Sequence, residues 1–324
     1  MKRLWRLLPI VLLVTLGAGD GLGQSYPNKP VRIVVNMAAG GGADLAARMI
    51  AQKLSEAWKQ PVLIETRGGS GGIVGANAVA KAEPNGYTFL MASSGIAASP
   101  SIYRKLPFDP LKDFVPVSQV YSSFLILVVN ANVPATSVRE LIALAKSQPG
   151  RLNYASTGTG GNPHLAAELF KSMTATDIVH IPYKGSAQMN TALVAGEVHV
   201  AFMSLESVLL HIKAGKLRAL AIVSRARLPP LATVPTMAEA GVVEDLELPN
   251  WLGLFAPAGT PRAIVELIQR ETVKALNMLD VRDRFIAMGR EPVGSTPGEF
   301  DAKYKADIAQ FARVLNEVRI PLQD

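Results

Sequence analysis

Val31-Arg32-Ile33-Val34-Val35-Asn36-Met37-Ala38-Ala39-Gly40-Gly41-Gly42-Ala43-Asp44 is an apolar β-branched run that passes straight into three glycines. The residues after it, from about Asp44 to Trp58, carry the spacing of a helix. A strand that turns into a helix over glycine leaves backbone N–H groups without partners. The helix N-terminus adds partial positive charge at the same point. Together they favour a small anion, such as a carboxylate or a phosphate. The plainer reading is a tight turn that needs glycine for positive φ, with Asp44 as N-cap.

The same alternation continues along the chain. Strand-like runs stand at 61–66, 87–92, 115–120, 124–130, 152–156, 177–182, 198–204, 217–224 and 248–256, with helical spacing between them. Ser137-Val138-Arg139-Glu140 reads as a capping box, and Thr296-Pro297-Gly298-Glu299 opens a last helix over about 297–318. The class is therefore α/β, with parallel sheets flanked by helices on both faces. Two stretches read as crossings between lobes, Tyr121–Asn130 and Val223–Pro230. They divide the chain into a first lobe of 24–122 and 229–324 and an inserted second lobe of 123–228. The second lobe has its own glycine-rich turn, Thr157-Gly158-Thr159-Gly160-Gly161-Asn162-Pro163, between a strand and the helix that His164 begins. Ligands in open α/β sheets bind beyond the carboxyl ends of strands, so two such turns predict an anion cleft between the lobes.

The N-terminus reads as an export signal. Lys2, Arg3 and Arg6 precede an apolar core from Leu7 to Leu16, and small residues follow from Gly17 to Gly23. Cleavage is expected after Gly19 or Gly23, making 1–23 a signal peptide. The alternative is a retained anchor. The chain has no cysteine, which rules out a lipid-anchored cysteine and a disulfide framework. Its net charge is +7. Losing residues 1–23 removes three cations against Asp20 alone, and the remaining basic residues are scattered. That pattern fits mild attraction for anionic solutes and not a nucleic-acid footprint.

Several features also admit a chemical reading. Gly68-Gly69-Ser70-Gly71-Gly72 matches G-x-S-x-G, which would make Ser70 a hydrolase nucleophile. None of the four histidines, His164, His180, His199 and His211, stands in a triad pattern with an acid. His164 and Glu168 are four apart and could share a metal, but a third ligand is missing from the pattern. His199 reads as a core residue, Lys184 as a rim charge of the cleft or a solvated one, and Trp251 as packing between a strand and the C-terminal helices.

Longer motifs make the chain recognisable. Tyr26-Pro27-Asn28-Lys29-Pro30 opens it, followed by Ala39-Gly40-Gly41-Gly42-Ala43-Asp44 and Glu65-Thr66-Arg67-Gly68-Gly69-Ser70-Gly71-Gly72. His180-Ile181-Pro182-Tyr183-Lys184-Gly185 and Trp251-Leu252-Gly253-Leu254-Phe255-Ala256-Pro257 come later. In this order, over nearly the whole mature chain, they resemble the Bug family, the TctC-like solute receptors of tripartite tricarboxylate transporters. The resemblance implies a two-lobe periplasmic-binding-protein fold, type II-like, and a monomeric periplasmic receptor, not an enzyme, with no cofactor and no metal. It implies that amides of the two turns, helped by ordered waters, grip a small organic carboxylate, which membrane subunits of the transporter then receive. Carried onto this sequence, the ligand residues are Ala39, Gly40, Gly41 and Asp44 in the first turn and Thr157, Gly158, Thr159 and His164 in the second. Ser93, Ser94, Lys184, Gly185 and Ser204 follow other strand ends. Many family members carry proline and an aromatic where this chain has Asn36 and Met37, so any stacking wall there is replaced by a softer thioether. The rival readings are a sensor that signals to a membrane kinase and a serine hydrolase using Ser70.

Overall fold

A computed structural model describes residues 26–241, 248–318 and 322. The expected signal segment 1–23 lies outside them. The first lobe begins with β1 (Val31–Val35), α1 (Gly42–Trp58), β2 (Val62–Thr66), α2 (Ile73–Ala80), β3 (Thr88–Ser93), α3 (Gly95–Ile102) and β4 (Phe114–Ser123). The second lobe contains β5 (Leu125–Asn130), α4 (Val138–Ser147), β6 (Asn153–Ser156), α5 (Asn162–Thr174), β7 (Val179–Pro182), α6 (Ser186–Ala195), β8 (Val200–Ser204), α7 (Leu205–Lys213) and β9 (Leu217–Val223). The first lobe is completed by β10 (Trp251–Pro257), α8 (Arg262–Asn277), α9 (Leu279–Ala287), β11 (Arg290–Pro292) and α10 (Pro297–Val318).

The first sheet has the order β11-β4-β10-β3-β1-β2 and the second β7-β6-β8-β5-β9. Both are mixed, where the sequence predicted parallel sheets. Strands β1, β2 and β3 run parallel, as do β6, β7 and β8. The antiparallel members are β10 in the first sheet and β5 in the second, with β11 at one edge. The cause is the crossings. Each crossing delivers the chain to its new lobe at the cleft end, so the receiving strand must run away from the cleft, against its neighbours.

The first crossing is nearly continuous strand, since only Phe124 separates β4 from β5. The return comes later than the expected boundary at Pro229. Leu228 and Leu231 are buried in the same core as Met203, Val208 and Leu217 of the second lobe. Ile222 N–H donates to the Pro235 carbonyl at 2.8 Å, and Met237 N–H donates to the Ile222 carbonyl at 2.9 Å. Residues 235–237 thus form a parallel bridge at the edge of the second sheet beside β9, and the stretch from Leu228 stays with the second lobe. Two apolar leucines and a strand edge left open hold this stretch where the Pro229-Pro230 pair alone suggested a departure. The first lobe resumes by Asn250, whose carbonyl accepts from Ser123 N–H at 2.8 Å.

Burial follows the strand pattern. Val31, Ile33 and Val35 pack against α1 and α8, while Val34 faces the opposite core with α2, α3 and α10. Trp251 is buried edge-on to Phe300, with ring centroids 5.1 Å apart, and its indole N–H donates to Asp307 at 2.6 Å. That contact ties the returning strand to the last helix.

Candidate functional site

The first turn is built as the glycines require, though the capping differs from the expectation. Gly40 has φ +76, a left-handed conformation that suits glycine. Gly41 is the N-cap of α1, in extended conformation with no side-chain cap. Asp44 therefore stands inside the first helical turn. Its buried carboxylate reaches back to accept the Gly40 N–H at 2.9 Å and pairs with the Arg48 guanidinium at 2.9 Å. Asp44 is neither the N-cap nor a free ligand group, because its charge is spent bracing the turn. Ala39 and Gly40 are exposed, and so is Met37.

The second turn is braced in a similar way. Gly158 has φ +108 and Gly160 φ +81. The Gly158 N–H donates to the Ser156 hydroxyl at 3.1 Å, and the Gly160 N–H donates to His164 Nδ1 at 3.3 Å. His164 is buried, so it supports the turn from within instead of beginning the helix as an exposed donor. Burial first, and the neighbouring His180 second, push its pKa down to about 4. Burial also lowers that of His180. Burial alone would raise Glu168, but hydrogen bonds from Lys171 and Tyr154 outweigh it and hold the carboxyl below its usual range. Among the described residues the Thr157 and Thr159 N–H groups take no acceptor. These two remain as donors.

Ser93, Ser94, Gly185 and Ser204 all lie at the carboxyl ends of parallel strands or at the helix starts beyond them. Ser94 is fully buried. Its hydroxyl donates to the Pro249 carbonyl at 2.8 Å and accepts from Asn162 at 2.8 Å. Gly185 is the N-cap of α6, and the exposed Lys184 precedes it in the short turn after the edge strand β7. Ser204 caps α7 by position, with its hydroxyl 3.1 Å from that of Ser207.

Two cross-lobe contacts bring these strand ends together, and neither was foreseen. Asn162, at the start of α5, donates to Ser94 and to Asn250 Oδ1, both at 2.8 Å. On the other flank Arg290, in β11 of the first lobe, donates to the Gly42 carbonyl at 2.9 Å and to Glu206 of the second lobe at 2.8 Å. The Arg290 side chain is 1% exposed, and its guanidinium lies over the Tyr121 ring at 4.7 Å. A Cβ on Gly42 would fall 1.8 Å from Arg290 Nη2 and 2.7 Å from Glu206 Oε1. Gly42 is therefore glycine to let the lobes approach. Asn162 could have been found in the glycine-rich motif that contains it. Arg290 sits in a three-residue strand with no periodic signal, and nothing in the sequence links it to Glu206.

The alternative chemistries lose their partners. Ser70 lies in the strained turn before α2, with φ +45, and no histidine bonds to it among the described residues. His164 and His180 serve the second turn, while His199 pairs with Asn153. No group of three or more metal-ligating side chains occurs among the described residues, and none of their helices is long and apolar enough to cross a membrane. A cavity of about 1050 Å³ lies behind the crossings, between Met173 of α5 and Arg313 of α10, and none of the expected ligand residues lines it.

Comparison with known proteins agrees with this architecture. A family model described as tripartite tricarboxylate transporter family receptor, TctC, matches residues 46–318. Protein BugT of Bordetella pertussis is 36% identical over 325 residues, covering 100% of this chain and 99% of BugT. A solved R. palustris protein with adipate is 36% identical, with a TM-score of 0.87, covering 92% of this chain and 100% of that one. MatC from Rhodopseudomonas palustris with bound malate is 30% identical, with a TM-score of 0.83, covering 90% and 100%.

Proposed function

Because this chain belongs to the tripartite tricarboxylate transporter receptor family of periplasmic solute-binding proteins, we propose that it captures a small organic carboxylate between its lobes and delivers it to the membrane subunits of such a transporter. The observation that carries this reading is the pair of braced glycine-rich turns, one per lobe, at strand ends that the Asn162 and Arg290 contacts draw to one cleft. Each turn keeps its amides aimed without ligand by satisfying selected donors internally, at Gly40 in one and at Gly158 and Gly160 in the other. Preorganised donors lose less entropy on binding. A carboxylate at each helix N-terminus also gains from the local dipole.

In this reading the first turn contributes the amides of Ala39 and of Gly41 to Asp44, and the second those of Thr157 and Thr159. Ser93 and Ser204 line the wall, and Lys184 and Gly185 stand at the rim. The relatives solved with adipate and malate direct the screen towards aliphatic dicarboxylates. The mature protein works as a monomer in the periplasm after loss of residues 1–23. A thermal-shift and calorimetric panel of mono-, di- and tricarboxylates, aromatic acids and amino acids tests the ligand class. Uptake of the bound acid, lost on deletion of the receptor gene and restored by its return, tests delivery. Stabilisation by cationic or neutral solutes alone would contradict the reading.

A further inference from the structure

Behind the second turn lies a compact cluster that carboxylate capture does not itself demand. Tyr154 of β6 stacks on His180 of β7, with centroids 4.8 Å apart and planes 13° apart. His180 in turn lies 4.4 Å from His164 of α5. Both imidazoles reach the turn. His180 Nε2 is 2.6 Å from the Ser156 hydroxyl, which accepts the Gly158 N–H, and His164 Nδ1 accepts the Gly160 N–H.

We propose that His164 and His180 are positioning residues: as neutral imidazoles they fix Gly160 directly and Gly158 through Ser156, and so aim the Thr157 and Thr159 amides at the ligand. The proposal rests on the reading of this turn as a ligand element. A histidine that merely filled the core would need no particular nitrogen on the turn. Here one ring bonds a left-handed glycine directly, and the other bonds the serine that holds the second.

The geometry also fixes a protonation state. A backbone N–H can only donate, so His164 Nδ1 must be bare and its proton must sit on Nε2. Protonating Nδ1 would expel the Gly160 N–H and release the turn. The groups around it oppose that event. Burial and His180 disfavour an imidazolium, and so does Lys171, while Glu168 favours it. The Glu168 charge is already shared with Lys171 at 2.7 Å and with the Tyr154 hydroxyl at 2.5 Å.

Two measurements test this on the whole mature protein. The first needs no ligand. Nitrogen-15 spectra should show the Nε2–H tautomer for His164, and the Gly160 amide should shift with the His164 titration near pH 4. The second uses adipate and malate as probes at pH 7, where their own carboxyls stay ionised. His164→Asn, whose side-chain oxygen can take the place of Nδ1, should bind within about twofold of the parent. His164→Leu and Ser156→Ala should bind about three- to tenfold more weakly, the worth of one hydrogen bond. A Gly160 amide indifferent to His164, an Nδ1–H tautomer, or His164→Leu and Ser156→Ala binding as the parent does would each overturn the proposal. If the parent binds neither probe, the choice of aliphatic dicarboxylates fails, and the spectra still decide whether the histidines hold the turn.

Discussion

Replacing Glu206 by alanine removes one half of the contact that closes the flank between α1 and α7. Arg290 would then be a cation with 1% of its side chain exposed, still bonded to the Gly42 carbonyl and still over the Tyr121 ring. Breaking a fully buried pair costs about 3–5 kcal/mol. Glu206 is 23% exposed and Arg290 keeps two partners, so the cost should fall to about 1–3 kcal/mol. The penalty applies only while the lobes are together, because opening hydrates the guanidinium. The closed population should therefore drop by about 5- to 150-fold relative to the open one. A ligand that bridges both lobes loses affinity by the fraction of closed protein that remains. Small-angle scattering of the ligand-free variant should show a larger radius of gyration than the parent, and calorimetry should show weaker binding with circular dichroism unchanged. An unchanged radius together with unchanged affinity would refute this reasoning, since the pair would then be mere surface decoration.

Three further outcomes are expected. His164, neutral when buried, has a folded pKa of about 4 against an ordinary value of 6.5. The unfolded chain thus binds the extra proton between those limits, and the stability this group confers is full above pH 6.5 and lost as pH falls through 4. Urea titrations should show about 3 kcal/mol less stability at the acid end of that window in the parent than in His164→Gln, once each is referred to its own value at pH 7. Equal slopes would remove His164 from the account. Gly41→Val should fold, since Gly41 is extended and a Cβ there meets only the Ala38 carbonyl at 3.5 Å. It should weaken carboxylate binding by crowding the first turn, measured by calorimetry beside circular dichroism. Mass spectrometry of exported protein should find a new N-terminus between Ala18 and Gln24, and periplasmic protein that retains Met1 would contradict the signal reading.

The strands were legible because β-branched runs are bounded by glycine and proline, as at Val31–Val35 and Leu217–Val223. The two glycine-rich turns were legible for the same reason, since a glycine cluster between a strand and a helix marks a tight turn. What stayed hidden depends on partners distant in sequence. Arg290 meets Glu206 across 84 positions, and β11 is three residues long, too short for any period to mark it. The role of Asp44 was misread because the glycine before the helix took the cap and left the carboxylate to reach back to Gly40. The late return after Pro229 was set by Leu228 and Leu231 finding the second core, a matter of space and not of local pattern. His164 read as a helix start, and only the fold shows that its ring points its Nδ1 at the turn.

The central claim is a carboxylate held jointly by both turns. A crystal structure of the mature protein soaked with the tightest-binding acid of the panel tests it most directly. The account predicts carboxylate oxygens, or waters that bridge to them, at about 2.7–3.2 Å from amides between Ala39 and Asp44 in one lobe and from Thr157 or Thr159 in the other. An acid bound to one lobe only, or lodged in the cavity between Met173 and Arg313 behind the crossings, would contradict it.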